Sequence, residues 1–199
     1  MQQIGFKQDG IQALAAPRIA WRTVAGIVLA TAVVAICAHI SVPLGFTPVP
    51  VTMQSFAVIL LGLLFTPGPA FACLALYLME GAMGLPVFTP HGAGGMAQLL
   101  GPTGGYLLSY PFAAALASLL YRRGGRRLWA AIGGGAVSSL LILACGFTWL
   151  GMMTHLHPGV LFAQSVAPFL PGDAVKVLAA ALCAGALGSF RDNSRNRTL

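Results

Sequence analysis

The stretch Pro168-Phe169-Leu170-Pro171-Gly172-Asp173-Ala174-Val175-Lys176 opens the last apolar segment of the chain with two opposite charges. Pro171 and Gly172 read as a break followed by a helix start. Asp173 and Lys176 are three apart, so on a helix they share a face, about 4.5 Å apart along its axis. Charges are scarce around them. Between Thr23 and Phe190 only seven residues carry one: Glu80, Arg122, Arg123, Arg126, Arg127, Asp173 and Lys176. A charge within an apolar span costs about 2.5–3.5 kcal/mol on insertion scales, so such residues tend to be paired and functional. The plainer alternative is a self-contained ion pair, with Asp173 favourably placed at a helix N-terminus.

The scarcity of charge settles the class. The 199 residues are 57% hydrophobic and 8% charged, against about 25% charged in a soluble domain. So few charges cannot cover a water-facing surface, and the expectation is an all-α integral membrane protein. The length allows one helical domain and no separate soluble one. A net charge of +7 would suggest nucleic acid in a soluble protein. Here the distribution of lysine and arginine explains it, so no nucleic-acid partner is expected. Cys37, Cys73, Cys145 and Cys183 are far apart, without metal-ligand spacing, and read as small packing residues.

Six apolar spans can be drawn, near 21–39, 51–65, 70–83, 106–121, 128–150 and 171–190. Residues 1–20 form an N-terminal segment without the long apolar core of a cleavable signal, and 11–16 could make a short interfacial helix. Residues 191–199 form a basic tail. The first span repeats small residues: Gly26 and Ala30, then Thr31 and Ala35, which would let helices approach closely, inside the bundle or against a partner. Pro43, Pro48 and Pro50 shape the first loop. Pro67-Gly68-Pro69 reads as a tight turn. The loop 84–105 holds seven glycines and three prolines but no lysine or arginine, and its apolar residues suggest that it folds back onto the protein.

Six spans put both termini on one side. With that side in the cytoplasm, ten of the eleven lysines and arginines are cytoplasmic, and Lys176 is the exception. This agreement favours six transmembrane helices, N-in and C-in, with long structured outer loops. The domain expected to bind substrate is then 21–190. All the unusual sequence gathers on the outer face: the proline-rich loop, the glycine-rich loop, 151–170, Glu80, Asp173 and Lys176. The inference is an outward-facing pocket roofed by loops, with a polar pair in its wall.

Provisional roles follow from the side-chain inventory. Lys176 could donate to a carboxylate or carbonyl, and Asp173 could accept ligand N–H groups. Gln54 could meet a ligand or make an interhelical hydrogen bond. Tyr106 and Tyr110, four apart, could line the site or belong to an aromatic belt. Glu80 could be functional, or could pair with Lys176 or with backbone. His91, His155 and His157 form no recognisable metal site. No H-E-x-x-H, G-x-S-x-G or Walker A sequence occurs, so neither an enzyme nor a self-contained ATPase is expected, and no cofactor. A rival from another class is a stand-alone ion- or proton-coupled transporter, with Glu80 or Asp173 as a relay.

Four motifs carry a resemblance. They are Phe46-Thr47-Pro48-Val49-Pro50-Val51-Thr52-Met53-Gln54, Gly84-Leu85-Pro86-Val87-Phe88, Gly101-Pro102-Thr103-Gly104-Gly105-Tyr106-Leu107, and Pro168 to Lys176. In this order and separation they resemble the BioY family, the biotin-binding S components of energy-coupling factor (ECF) transporters. The resemblance covers about 20–190. It implies a six-helix domain in the cytoplasmic membrane that captures biotin from outside. It also implies coupling, in many relatives, to a transmembrane subunit and two ATPases. The family's ligand-associated Asp and Lys fall on Asp173 and Lys176. The first helix is associated with the partner contact, which favours the external role of Gly26, Ala30, Thr31 and Ala35. Phe46, Val87, Phe88 and Leu99 are expected to enclose the bicyclic head. The stretch from Thr89 to Met96 is the least typical of the family, and no binding residue is carried onto it.

Overall fold

The structure, a computed structural model, describes residues 21–196, with side chains from 24 to 187. The short helix considered for 11–16 lies outside the described residues. Six longer helices carry the fold: α1 (Trp21–His39), α2 (Gln54–Leu64), α3 (Pro67–Ala82), α5 (Gly104–Arg123), α6 (Leu128–Thr154) and α8 (Leu170–Asn196). Two short helices, α4 (Gly95–Leu99) and α7 (Pro158–Ser165), lie within the loops. The loop 84–105, expected to fold back, thus holds a helical turn of its own, and so does the loop before the last helix.

Several boundaries differ from the sequence reading. The chain is not wholly helical: β1 (Ser41–Val42) and β2 (Val51–Thr52) pair antiparallel, Ser41 opposite Thr52 and Val42 opposite Val51. This ribbon ties off the proline-rich loop and delays the second helix to Gln54. Pro67-Gly68-Pro69 is not a separate turn but the first turn of α3. Proline is tolerated there because the first N–H groups of a helix lack internal partners. The fifth helix runs four residues beyond the expected end, to Thr154, where His155 adopts a left-handed conformation (φ 51°). The last helix continues through the start of the basic tail to Asn196.

The core sits between α2, α3, α5, α6 and α8, with α5 packed most extensively on α6. Close approach is bought with small residues. A Cβ on Gly62 of α2 would lie 2.6 Å from the Ala114 carbonyl oxygen of α5, and one on Gly146 of α6 would strike the Tyr106 ring. Larger side chains at either place would push α2 or α6 off α5.

The outside of the bundle is apolar. Leu29, Phe112, Leu140, Val175 and Leu182 are all more than half exposed, as expected of a surface that meets lipid chains instead of water. Among the described residues two helices, Leu128–Thr154 and Leu170–Leu187, are long and apolar enough to cross a membrane, and Val24–His39 and Gln54–Leu64 are shorter apolar helices. On α1, Ala30 and Thr31 are buried against the chain's own helices, whereas Val24, Val28, Leu29 and Ile36 face outward. Ala30 and Thr31 thus serve packing inside the bundle. Cys37 and Cys73 are buried as expected of packing residues, but Cys183 is exposed.

Candidate functional site

Asp173 lies in the first turn of α8, and Lys176 one turn further on. Both are buried, with 6% and 7% of their surfaces exposed, and Lys176 Nζ donates to Asp173 Oδ1 at 3.0 Å. The pair is not self-contained. Ser55 of α2 donates to Asp173 Oδ1 at 3.2 Å and accepts from Lys176 Nζ at 3.1 Å. Ser139 of α6 donates to Asp173 Oδ2 at 2.7 Å. Three helices therefore meet at one carboxylate, which holds the charge pair at a fixed place inside the bundle.

Beside it stands an amide–phenol cluster. Gln54 Nε2 donates to Tyr77 Oη at 2.6 Å, and the Tyr77 hydroxyl donates to the Val87 carbonyl at 2.9 Å. Gln54 Oε1 accepts from Thr52 at 3.2 Å and Tyr110 at 3.4 Å. Tyr106 donates to the Ser165 carbonyl at 2.7 Å, fastening the end of α7 to α5. Both tyrosines are buried, which removes them from an interfacial belt.

These groups share one cavity of about 50 Å³. Asp173, Lys176, Ser55, Gln54, Tyr106 and Tyr110 supply its polar wall. Val49, Leu107, Ile142, Leu143 and Phe169 supply its apolar wall. A neighbouring loop pocket of about 240 Å³ shares Pro50, Thr89, Gln98 and Thr103 with it.

The remaining donors and acceptors can be counted. A carboxylate has about four lone-pair sites, and three are taken, leaving Asp173 one acceptor position. Lys176 uses two of its three N–H groups, and Gln54 Nε2 uses one of two. Asp173, Lys176 and Gln54 thus leave one acceptor and two donors for the cavity, and the ion pair carries no net charge.

Of the residues named from sequence, Asp173, Lys176, Gln54 and Tyr106 line this cavity, and Glu80, Phe46 and Phe88 do not. Glu80 accepts from Thr31 of α1 at 3.2 Å, on another side of α3. It does not pair with Lys176. Phe46 is 60% exposed at the loop tip. Phe88 is buried edge-on against Tyr77, with ring centroids 5.5 Å apart, and fills the space left by Gly81. It supports the wall from behind. Val87 and Leu99 also stand off the cavity. Sequence reasoning missed Ser55 and Ser139, since a serine on an apolar helix carries no signal of what it faces. It also missed Gln98, which was legible as a lone amide in an uncharged loop.

The fold and this wall together define a helical membrane protein with an internal cavity built around a buried ion pair. Its family follows from comparison. The BioY family model matches residues 10–192, and the chain belongs to the BioY family. It is 37% identical over 158 residues to the probable biotin transporter BioY of Pyrococcus horikoshii, spanning 79% of this chain and 91% of the relative. It is 36% identical over 154 residues to the biotin transporter BioY of Thermotoga maritima, spanning 77% and 88%. The crystal structure of the S-component for biotin from an ECF-type ABC transporter superposes with a TM-score of 0.78 at 23% identity, covering 85% of this chain and 92% of the other. At that identity the likeness speaks for the fold.

Proposed function

We propose that this chain captures biotin from outside the cell and serves as the substrate-binding component of an ECF-type vitamin transporter in the cytoplasmic membrane. In this reading α1, α2, α3, α5, α6 and α8 cross the bilayer, with both termini and the α5–α6 arginine turn in the cytoplasm. A transmembrane subunit docks on the outward face of α1 and couples the chain to two ATPases. The chain performs no chemistry on its ligand.

The observation that carries the reading is the wall containing Asp173 and Lys176. A ureido edge offers an N–H donor and a carbonyl with two lone pairs. The wall offers one acceptor on Asp173 and one donor each on Lys176 and Gln54. A neutral ligand head suits a neutral pair, whereas a carboxylate there would leave a net negative charge away from water. The ring system would lie against Ile142, Leu143 and Phe169. Glu80 stands off this cavity, which speaks against the relay role considered for it.

Radiolabelled biotin and detergent-purified protein provide the test. Saturable, high-affinity retention of unaltered biotin is expected. Failure to retain it, or ion-dependent flux by the chain alone without retention, would overturn the proposal.

A further inference from the structure

Gln98 sits in α4 with 3% of its surface exposed. Its Oε1 accepts from the Gly94 N–H at 3.1 Å, and that donor fixes which end of the amide is oxygen. Nε2 is buried and has no hydrogen-bond partner among the described residues. Leaving such a donor unpaired costs free energy, so an orphan of this kind calls for an explanation. The loop is shaped around it: a Cβ on Gly92 would collide with the Gln98 carboxamide. The residue also lines both the main cavity and the loop pocket.

We infer that Gln98 is a ligand-binding residue whose Nε2 donates to the carboxylate of the ligand's acid tail, with the tail running from the main cavity into the loop pocket. The inference rests on biotin as the ligand. With its oxygen engaged by Gly94, the amide can only meet an acceptor. The ureido oxygen already faces the free donors of Lys176 and Gln54, so the carboxylate remains. The lining of the loop pocket holds no lysine, arginine, aspartate or glutamate, and His91 is its one titratable side chain. An acid there is recognised by neutral donors, and its charge stays clear of Asp173.

The test compares biotin with biotin methyl ester on wild type, Gln98→Glu and Gln98→Leu, above neutral pH. Gln98→Glu keeps an oxygen for the Gly94 N–H but sets a carboxylate against the ligand's own. It should weaken biotin binding by at least about tenfold more than ester binding. Gln98→Leu removes the donor without adding charge, and should erase most of the wild type's preference for acid over ester. It also decides the matter if the glutamate variant does not purify. Equal losses for acid and ester would place Nε2 on the ligand head and overturn the inference, as would unchanged affinity for both. If wild type itself fails to bind biotin, the functional proposal fails, and this outcome is distinct from an altered acid-to-ester ratio.

Discussion

Replacing Asp173 with asparagine probes the charge pair without changing its size. The wild-type carboxylate accepts from Ser55, Lys176 and Ser139 at 3.2, 3.0 and 2.7 Å. Asparagine keeps one acceptor oxygen and turns the other into a donor. If the oxygen stays with Ser139, the new NH₂ faces Ser55 and Lys176, and a cation that is 7% exposed loses its anion. Breaking a buried ion pair from one side costs about 3–5 kcal/mol, so the ligand-free variant should melt clearly below wild type. Binding suffers separately, because a ligand N–H then meets a donor. An unpaired buried polar group costs about 1–3 kcal/mol, more where charge was involved, so affinity should fall at least about tenfold. The assay is titration of biotin and biotin methyl ester into both proteins, with thermal melting alongside. Acid and ester should weaken by similar factors, since neither loses its tail contact. If Asp173 were only a counter-ion for Lys176, the ligand's carboxylate would replace it, and the variant would favour the acid. That selectivity, or undiminished binding of both ligands, refutes the ureido assignment.

Lys176→Ala should lose at least about tenfold in biotin affinity while still inserting and purifying, because the ligand carbonyl loses a charged donor; normal binding in a filter assay would reduce Lys176 to a structural partner. Ser139→Ala removes the 2.7 Å bond to Asp173 and should destabilise the protein by about 1.5–3 kcal/mol, as expected for a hydrogen bond to a charged group; an unchanged melting curve would contradict that bond. Neutralising Arg126 and Arg127 together, both exposed at the α5–α6 turn, should leave biotin affinity unchanged in correctly inserted protein, and a strong loss by titration would count against the proposed orientation.

The sequence exposed the charged residues of the site more readily than their surroundings. Asp173 and Lys176 stood out because charge in an apolar span is expensive, Gln54 as an amide just inside the second span, and Tyr106 by its spacing of four from Tyr110. Which face of a helix a residue occupies was less visible. Glu80 and Tyr77 are three apart on α3, yet Tyr77 reaches Gln54 and Glu80 reaches Thr31 of α1. Their spacing tells that they are neighbours, not which helix each meets. Phe46 and Phe88 are alike as apolar loop residues, and only the folded chain separates an exposed tip from a buried prop. The ribbon of β1 and β2 has two residues per strand, too short for alternation to register. Ser55 and Ser139 gain their meaning only when α2, α6 and α8 converge.

The β1–β2 ribbon closes residues 43–50 into a small ring holding Pro43, Pro48 and Pro50. Proline removes backbone freedom before folding begins, and the ribbon removes more by joining the ring's ends. Val49 and Pro50 of that ring form part of the cavity wall. A ligand arriving at this side meets a surface whose shape is already set, so little of its affinity is spent on ordering chain there. The glycine-rich segment that shares the loop pocket with Pro48 and Pro50 is set differently: it holds Gly84, Gly94 and Gly95 at positive φ, and no paired strands close its ends.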